Sequence, residues 1–321
     1  MTRAFCAACW WIAVCLLMAC GPSAGTLLPK SGGRPYETLV VYNNVEAGHL
    51  VAHLLSADAD VLPQAEPCFD VSLVDSVHFS EALRLARSIV IVTVDPTMFT
   101  KTRLRYERNV WATGQTVAYV NTPDVEQLRQ KQTLLGHQLT TLLTRAEMAN
   151  RVSQLLAGHN PKADSLVTRL TNLRMNIPTD MLSSKQGKRF VWLSNNAATG
   201  MQNICVYTYP GATLDITTLL AMRDSIMRIN LPGERQGMYM QTVTGSVKSG
   251  MEKTRLGTVL TARGLWEMHN DAMGGPFVLH AYADTARRQV IVAEAFVYAP
   301  EMKKRNLIRQ AEASLYTLRR R

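Results

Sequence analysis

Residues 290–298 read Val-Ile-Val-Ala-Glu-Ala-Phe-Val-Tyr, and this stretch is the clearest indication of the fold of the second half of the chain. It has no helical period and is rich in β-branched and aromatic residues, which favours a buried strand. Further stretches without helical period predict strands at 189–194, 204–209, 239–247, 258–268 and 277–282. Together they predict an antiparallel sheet, and residues 303–318 predict a terminal helix that closes it.

The first half alternates strands with helices. Strands are predicted at 38–42, 67–74, 89–94 and 116–120, and helices at 46–55 and 80–86. A long helix is predicted from Thr122-Pro123-Asp124, because threonine caps a helix, proline suits the first helical position and aspartate the positive end. A further helix is predicted from Asn160-Pro161. The fold class is therefore predicted as α+β, with an N-terminal α/β half that contains a long helix and a C-terminal antiparallel sheet.

Residues 1–20 have the layout of a bacterial secretory signal. Arg3 is the only charge before residue 30, and every residue from Ala4 to Ala19 is apolar, small or cysteine. The run is shorter than the roughly 20 residues that a membrane-spanning helix needs. It ends in Leu17-Met18-Ala19-Cys20, which resembles the lipobox of bacterial lipoproteins. We predict a signal peptide at 1–19 and a lipidated Cys20 that carries palmitate or similar chains; an uncleaved anchor and an ordinary signal peptide are the alternatives.

The remaining chain is predicted to form a flexible tether at 20–35 and a periplasmic domain at 36–321. The tether is rich in glycine, proline and serine, which favours a mobile linker. The domain is long enough for either one unit or two subdomains, at about 36–175 and 176–321. No acidic residue follows Cys20 within 21–25, so by analogy with surface-exported lipoproteins we expect an outer-membrane anchor with the domain facing the periplasm.

The composition is that of a basic globular protein. The formal net charge is +10 for 321 residues, and the basic residues are scattered apart from two runs at 303–305 and 319–321. At an envelope, this charge favours anionic lipid or glycan surfaces, and we expect no nucleic-acid partner because basic and aromatic residues are not interleaved. We expect no cofactor, since no dinucleotide, phosphate-loop or EF-hand motif is present. Cys68 and Cys205 are equally consistent with a disulfide or with two buried thiols.

Four segments of the sequence resemble a known protein family. They are residues 33–37, 192–207, 264–277 and 296–307. They resemble a domain-of-unknown-function family of envelope lipoproteins of the Bacteroidota type, and the resemblance extends over the whole mature chain. It implies a localisation and an organisation, but it implies no reaction and no catalytic residue.

A polar turn between two predicted strands is the first candidate site. Its side chains offer neutral hydrogen-bond donors and acceptors beside an indole ring, a combination that suits sugars. The predicted ligand-binding residues are Trp192, Asn195, Asn196, Gln202 and Asn203. The alternative is an ordinary tight turn, because asparagine and glycine tolerate unusual backbone angles.

The second candidate is the segment 266–271, in which acidic and imidazole side chains alternate. Glu267, Asp271 and Glu294 are candidates for general acids and bases, with Arg263 as a suggested partner of Glu294. His269, Asp271 and His280 are candidates for metal ligands, if His280 approaches from the next strand. The alternative is a solvated strand face with ordinary ion pairs.

These patterns support two functions of different classes. The favoured function is a non-enzymatic module that binds envelope proteins or glycans at the outer membrane, with membrane contact through the lipid anchor. The alternative is a hydrolase that acts on an envelope polymer. We lean towards a protein without enzymatic activity, because no complete catalytic constellation is visible in the sequence.

Overall fold

The structure of the protein, a computed structural model, describes residues 27–321. The predicted signal peptide, Cys20 and the first part of the predicted tether lie outside the described residues. The described part contains a mostly parallel sheet from the first half of the chain and an antiparallel sheet from the second half. This arrangement confirms the predicted α+β class, with an α/β half followed by an antiparallel sheet and a terminal helix.

The first half is built on a five-stranded sheet. Its strands are β1 (Glu37–Tyr42), β2 (Asp70–Asp75), β3 (Ser88–Val94), β4 (Arg103–Arg108) and β5 (Thr116–Thr122). They are ordered β2-β1-β3-β5-β4, and only β4 runs antiparallel to its neighbour. Helices α1 (Val45–Leu55), α2 (Val125–Gln130) and α3 (Gln132–Ala157) cover one face, where Val40, Val90 and Val120 share a core with Val51 and Leu139. The other face is also covered, because Leu39 and Ile89 pack there with Leu83 and Trp111, and burial on both faces explains the apolar runs of the central strands.

The second half is built on an eight-stranded antiparallel sheet. Two short strands, β6 (Leu173–Arg174) and β15 (Arg319–Arg320), lie outside this sheet. Its own strands are β7 (Ser183–Gly187), β8 (Phe190–Ser194), β9 (Met201–Pro210), β10 (Met240–Thr242), β11 (Lys248–Thr254), β12 (Gly257–Met268), β13 (Gly274–Asp284) and β14 (Gln289–Tyr298). The order is β10-β12-β13-β14-β9-β8-β7, with β11 also beside β12. β6 and β15 pair only with each other and form a separate two-stranded sheet.

Helices cover both faces of this sheet. They are α4 (Pro161–Thr171), α5 (Ile216–Asn230) and α6 (Arg305–Leu315). On one face, Val167 of α4 and Ile308 of α6 pack with Ile204 of β9. On the other face, Leu219 of α5 packs with Tyr207 of β9. Because both faces are buried, β9 and β14 are mostly apolar on both faces instead of alternating.

The two halves meet at the start of α6. The buried carboxylate of Glu66, in the first half, accepts hydrogen bonds from the backbone N–H groups of Lys304 (2.6 Å) and Arg305 (3.0 Å). The Arg305 guanidinium donates to Asp70 at 2.7 Å. An acid from one half therefore satisfies the free N–H groups at the start of a helix in the other half.

Several predicted element boundaries were wrong for identifiable reasons. The helix predicted at 80–86 is only a 3₁₀ turn at Leu83–Leu85. The long helix is interrupted at Lys131, and Asp124 is the residue that caps its first part, through the N–H of Gln127 at 2.7 Å. β4 and β7 were missed because their residues are mostly exposed and polar, so no apolar pattern marks them.

Candidate functional site

The polar turn between β8 and β9 does not present the five predicted ligand-binding residues on one surface. Trp192 and Asn203 point to the α5 face of the sheet, whereas Gln202 points to the α6 face. The Trp192 indole N–H donates to Asn203 Oδ1 at 2.9 Å, and Asn203 is fully buried. Asn195 Oδ1 accepts from the backbone N–H of Gln202 at 3.0 Å, while Asn196 has a left-handed φ of 50°. Gln202 donates to Gln310 on α6 at 3.3 Å. Much of the hydrogen-bonding capacity that suggested a sugar site is therefore used by the hairpin itself.

The three predicted acid–base residues are divided between two environments. Glu267 and Asp271 are exposed and line one surface groove of about 510 Å³. Glu294 is fully buried on β14, where it accepts from the Arg223 guanidinium at 2.7 Å and from the Tyr207 hydroxyl at 3.0 Å. Glu294 therefore cannot act together with Glu267 and Asp271 on a polymer in that groove.

The suggested pairing of Glu294 with Arg263 is wrong because the two side chains lie on opposite faces of the sheet. Arg263 pairs in register with Val278, which belongs to the core beneath α6. Glu294 meets Arg223, a residue of α5 on the other face. Burial alone would lower the pKa of Arg223, but Glu294, Tyr207 and Asp224 together more than offset this and raise it.

The predicted metal ligands are not brought together. His280 pairs with Thr261 of β12, whereas His269 and Asp271 follow the far end of this strand, beyond Glu267. Thr261 and Glu267 are six positions apart, or about 20 Å along the strand. The His269 ring stacks on Tyr239 at 4.8 Å, far from His280. Within residues 27–321, no group of three or more His, Cys, Asp or Glu side chains is placed to hold a metal ion.

Cys68 and Cys205 are both buried and free. Cys68 belongs to the core of the first half, whereas Cys205 lies beneath α5 in the second half. Burial raises the pKa of the Cys205 thiol, and the nearby Glu294 carboxylate adds to this shift. The two residues are therefore buried thiols, and the alternative of a disulfide is wrong.

A charged network holds α6 to the sheet at the junction of the halves. The Arg263 guanidinium pairs with the buried carboxylate of Glu312, and the Tyr316 hydroxyl donates to Glu252 at 3.1 Å. The His280 ring meets the edge of Tyr316 at 4.7 Å, and burial lowers the pKa of His280 to about 4. A cavity of about 360 Å³ is lined by four residues of this network, Glu252, Arg263, Glu312 and Tyr316, but not by His280.

Another opening, larger than the groove at Glu267 and the cavity beneath α6, carries a concentration of positive charge. It is a groove of about 900 Å³ with five arginines and a single acidic residue in its lining, and we call it the arginine groove. Its charged and imidazole residues are His159, Asp164, Arg169, Arg174, Arg287, Arg319 and Arg321. Such an excess of one sign in a concave surface raises the local concentration of ligands of the opposite sign.

Three separate segments place these arginines side by side. Arg169 lies in the last turn of α4, which ends at Asn172 with a left-handed φ of 60°. The chain then turns into β6, where Arg174 pairs directly with Arg319 of β15. Arg287 comes from the turn between β13 and β14. The groove is therefore a tertiary feature rather than a local motif.

Part of the charge in the groove is already engaged. Asp164 accepts from the backbone N–H of Ile177 at 2.8 Å and pairs with His159. Arg319 donates to Asn176 Oδ1 at 2.6 Å, and Arg287 donates to the carbonyl of Thr171 at 3.3 Å. The side chains of the three arginines at 169, 174 and 321 have no hydrogen-bond or ion-pair partner among residues 27–321.

Sequence reasoning missed this groove because its parts are distant in the chain. The run Arg319-Arg320-Arg321 was visible as a basic cluster, but Arg169 and Arg174 were not connected with it. The only local signal was the polar, arginine-bearing end of the helix that begins at Asn160-Pro161. The pairing of β6 with β15, each two residues long, is too short for a strand prediction.

Comparison with protein families gives one match in each half. Residues 31–155 match a family model described as Domain of unknown function (DUF8532), and residues 160–317 match one described as Domain of unknown function (DUF4837). No curated protein matches the chain. The expected resemblance is confirmed in its coarser form, with two such families where one was expected, while the lipoprotein type stays a prediction. The chain is thus similar to two families of domains of unknown function, joined between α3 and α4.

Proposed function

We propose that the protein is a lipid-anchored envelope lipoprotein of the Bacteroidota type, and that its folded part binds an anionic envelope glycan without changing it chemically. The arginine groove is the observation that carries this proposal. Three of its arginines have no partner within the described part of the chain, and its one acid is engaged by His159 and Ile177. Carboxylate, sulfate and phosphate groups are what arginine binds best.

The anchor proposal rests on the lipobox-like segment ending at Cys20. Among residues 27–321, no helix is long and apolar enough to cross a bilayer. We propose attachment to the inner leaflet of the outer membrane. Metabolic labelling with a palmitate analogue should label the full chain and should not label Cys20→Ala. Surface proteolysis of intact cells that removed the protein would contradict the periplasm-facing orientation.

The binding proposal is tested by the melting temperature of the full-length protein with defined polymers. Dextran sulfate carries the proposed charge, and uncharged dextran is its matched control. A ligand at a hundred times its dissociation constant stabilises a protein by about 2.7 kcal/mol. We expect dextran sulfate to raise the melting temperature and dextran to leave it unchanged. Equal shifts with both polymers, or none with either, would contradict binding of an anionic glycan.

Hydrolysis of an envelope polymer is the second candidate function. It is favoured by one observation, that Glu267 and Asp271 line the same groove together with the aromatic residues Trp266 and Tyr298. Most enzymes that cleave glycosidic bonds use a pair of Asp or Glu carboxylates. If this function is correct, the full-length protein releases soluble fragments from isolated cell walls, and the substitutions Glu267→Gln and Asp271→Asn abolish the release while leaving the melting temperature unchanged.

A further inference from the structure

An apolar furrow adjoins the arginine groove across helix α4. The furrow has a volume of about 620 Å³ and runs between α4 and the edge of the antiparallel sheet. The two openings share Ser165 and Arg169, which lie one helical turn apart on α4. A ligand that occupies the groove can therefore continue into the furrow over the ridge of the helix.

The furrow differs from the groove in chemistry. Its apolar lining residues are Ala163, Leu166, Met181, Leu182 and Leu193. Leu182 is 80% exposed and lies at the start of the edge strand β7, while Leu166 packs against the core beneath it. The only charged residues of the furrow are Lys162 and the shared Arg169, both basic. Such a surface suits an alkyl chain, because burying apolar area against it is favourable.

The position of the chain's first described residues adds a third observation. Thr113 donates from its hydroxyl to the carbonyl of Leu28, and the side chain of Asn150 on α3 donates to the neighbouring Gly114 carbonyl at 2.8 Å. Five residues further along α3, or about 8 Å, the carbonyl of Leu155 accepts from Asn176 in the floor of the arginine groove at 3.0 Å. The segment leading to Cys20 and the groove therefore lie at the same end of α3.

We propose that the groove and the furrow together bind one anionic amphiphile, with its phosphate-like headgroup on the arginines and its alkyl chain in the furrow. The inference rests on the proposed function and deepens it, since the anionic glycan would be one that carries acyl chains. A domain tethered to a membrane at this end meets such a molecule at the bilayer surface.

The test compares two soluble phosphates that share a headgroup. Full-length protein in maltoside micelles, which contain no phosphorus, is titrated with methyl phosphate and with hexyl phosphate, and binding is followed by ³¹P NMR. Each buried methylene strengthens binding by about fourfold. We expect hexyl phosphate to bind the wild-type protein at least tenfold more tightly than methyl phosphate.

Variants separate the headgroup site from the chain site. Leu182→Ser should reduce the preference for hexyl phosphate to less than threefold without weakening methyl phosphate. Ile229→Ser, which replaces a 75% exposed residue on α5, is the matched control and should keep the full preference. Arg174→Gln should weaken both phosphates alike. Because the micelle is the same throughout, partition of hexyl phosphate into it cancels between variants.

Each remaining outcome overturns a defined claim. Equal affinities for the two phosphates overturn the chain site and leave the anion-binding function standing. A preference that Leu182→Ser does not reduce overturns the placement of the chain in the furrow. If neither phosphate binds, this inference fails, while the proposed function is decided separately by the measurement with dextran sulfate and dextran.

Discussion

Arg174 and Arg319 occupy directly opposed positions in the two-stranded sheet formed by β6 and β15. Like charges in such positions destabilise a sheet, so the pairing costs stability. Hydrogen bonds from the Arg319 side chain to Asn176 and to the carbonyl of Thr317 offset part of this cost in stability. Arg174 has no such partner among the described residues and points to a role outside the fold, which is the anion binding proposed above.

The two arginines should respond differently to substitution. Arg174→Gln removes the repulsion and no contact, so the free energy of unfolding should stay within about 0.5 kcal/mol of the wild type or rise. Arg319→Gln removes charged hydrogen bonds and should lower it by about 1–3 kcal/mol. Urea unfolding at low and high salt measures both. A large loss of stability in Arg174→Gln would show that this residue has a structural role.

The buried pair of Arg223 and Glu294 should be essential to the fold. Both side chains are fully buried, and Arg223 also packs over the Phe277 ring at 4.0 Å. Removing either partner leaves an uncompensated buried charge, so Arg223→Met or Glu294→Met should cost about 3–5 kcal/mol. The double variant Arg223→Met with Glu294→Met should lower the free energy of unfolding by no more than half as much as a single substitution does. Strictly additive losses in urea unfolding would contradict the coupling.

His280 should make the protein less stable in mild acid. Burial lowers its pKa from 6.5 to about 4, so between these pH values the unfolded chain binds a proton that the folded protein does not. Stability from this residue is therefore present above pH 6.5 and is lost as the pH falls to 4, by about 3 kcal/mol in total.

The measurement is urea unfolding at pH 7 and pH 4.5 for matched variants. His280→Phe keeps a ring against Tyr316 and should show a smaller loss on acidification than the wild type. His49→Gln, at an exposed histidine, is the control and should behave like the wild type. If His280→Phe loses as much stability in acid as the wild type, burial of a neutral imidazole is not the cause.

Asn160 should link stability to ligand binding. Its side chain accepts from the backbone N–H groups of Lys162 and Ala163 at the start of α4, and it donates to the carbonyl of Met181 at 2.9 Å. Asn160→Ala should lower the free energy of unfolding by about 2 kcal/mol and weaken anion binding. Asp124→Ala, which removes the cap of α2, should cost about 1 kcal/mol and leave anion binding unchanged.

Local patterns predicted much of the fold because they are written in contiguous residues. The apolar run at 290–298 became β14, and Asn160-Pro161 begins a helix as its capping chemistry requires. β4 was not predictable in this way, because Arg103–Arg108 is an exposed edge strand whose pairing with β5 is decided by the rest of the sheet. Propensity is weak where no face is buried.

The site was less predictable than the fold. The sequence drew attention to Glu294 as a buried carboxylate that needs a partner, but the choice of Arg223 over Arg263 depends on which sheet face each side chain occupies. The register of β13 likewise separates His280 from His269. The arginine groove combines residues from α4, β6, a hairpin turn and the C-terminus, and no spacing rule connects them.

The most direct test of anion binding in the arginine groove is the affinity of the full-length protein for dextran sulfate. Two variants with the same loss of three charges are compared with the wild type at a fixed salt concentration. One carries glutamine at Arg169, Arg174 and Arg321 of the groove, and the other at the exposed Arg103, Arg105 and Arg108 of β4. We predict at least a tenfold loss of affinity in the groove variant and less than a twofold change in the β4 variant. Equal losses in the two variants would show that binding follows net charge, and would contradict a site in the arginine groove.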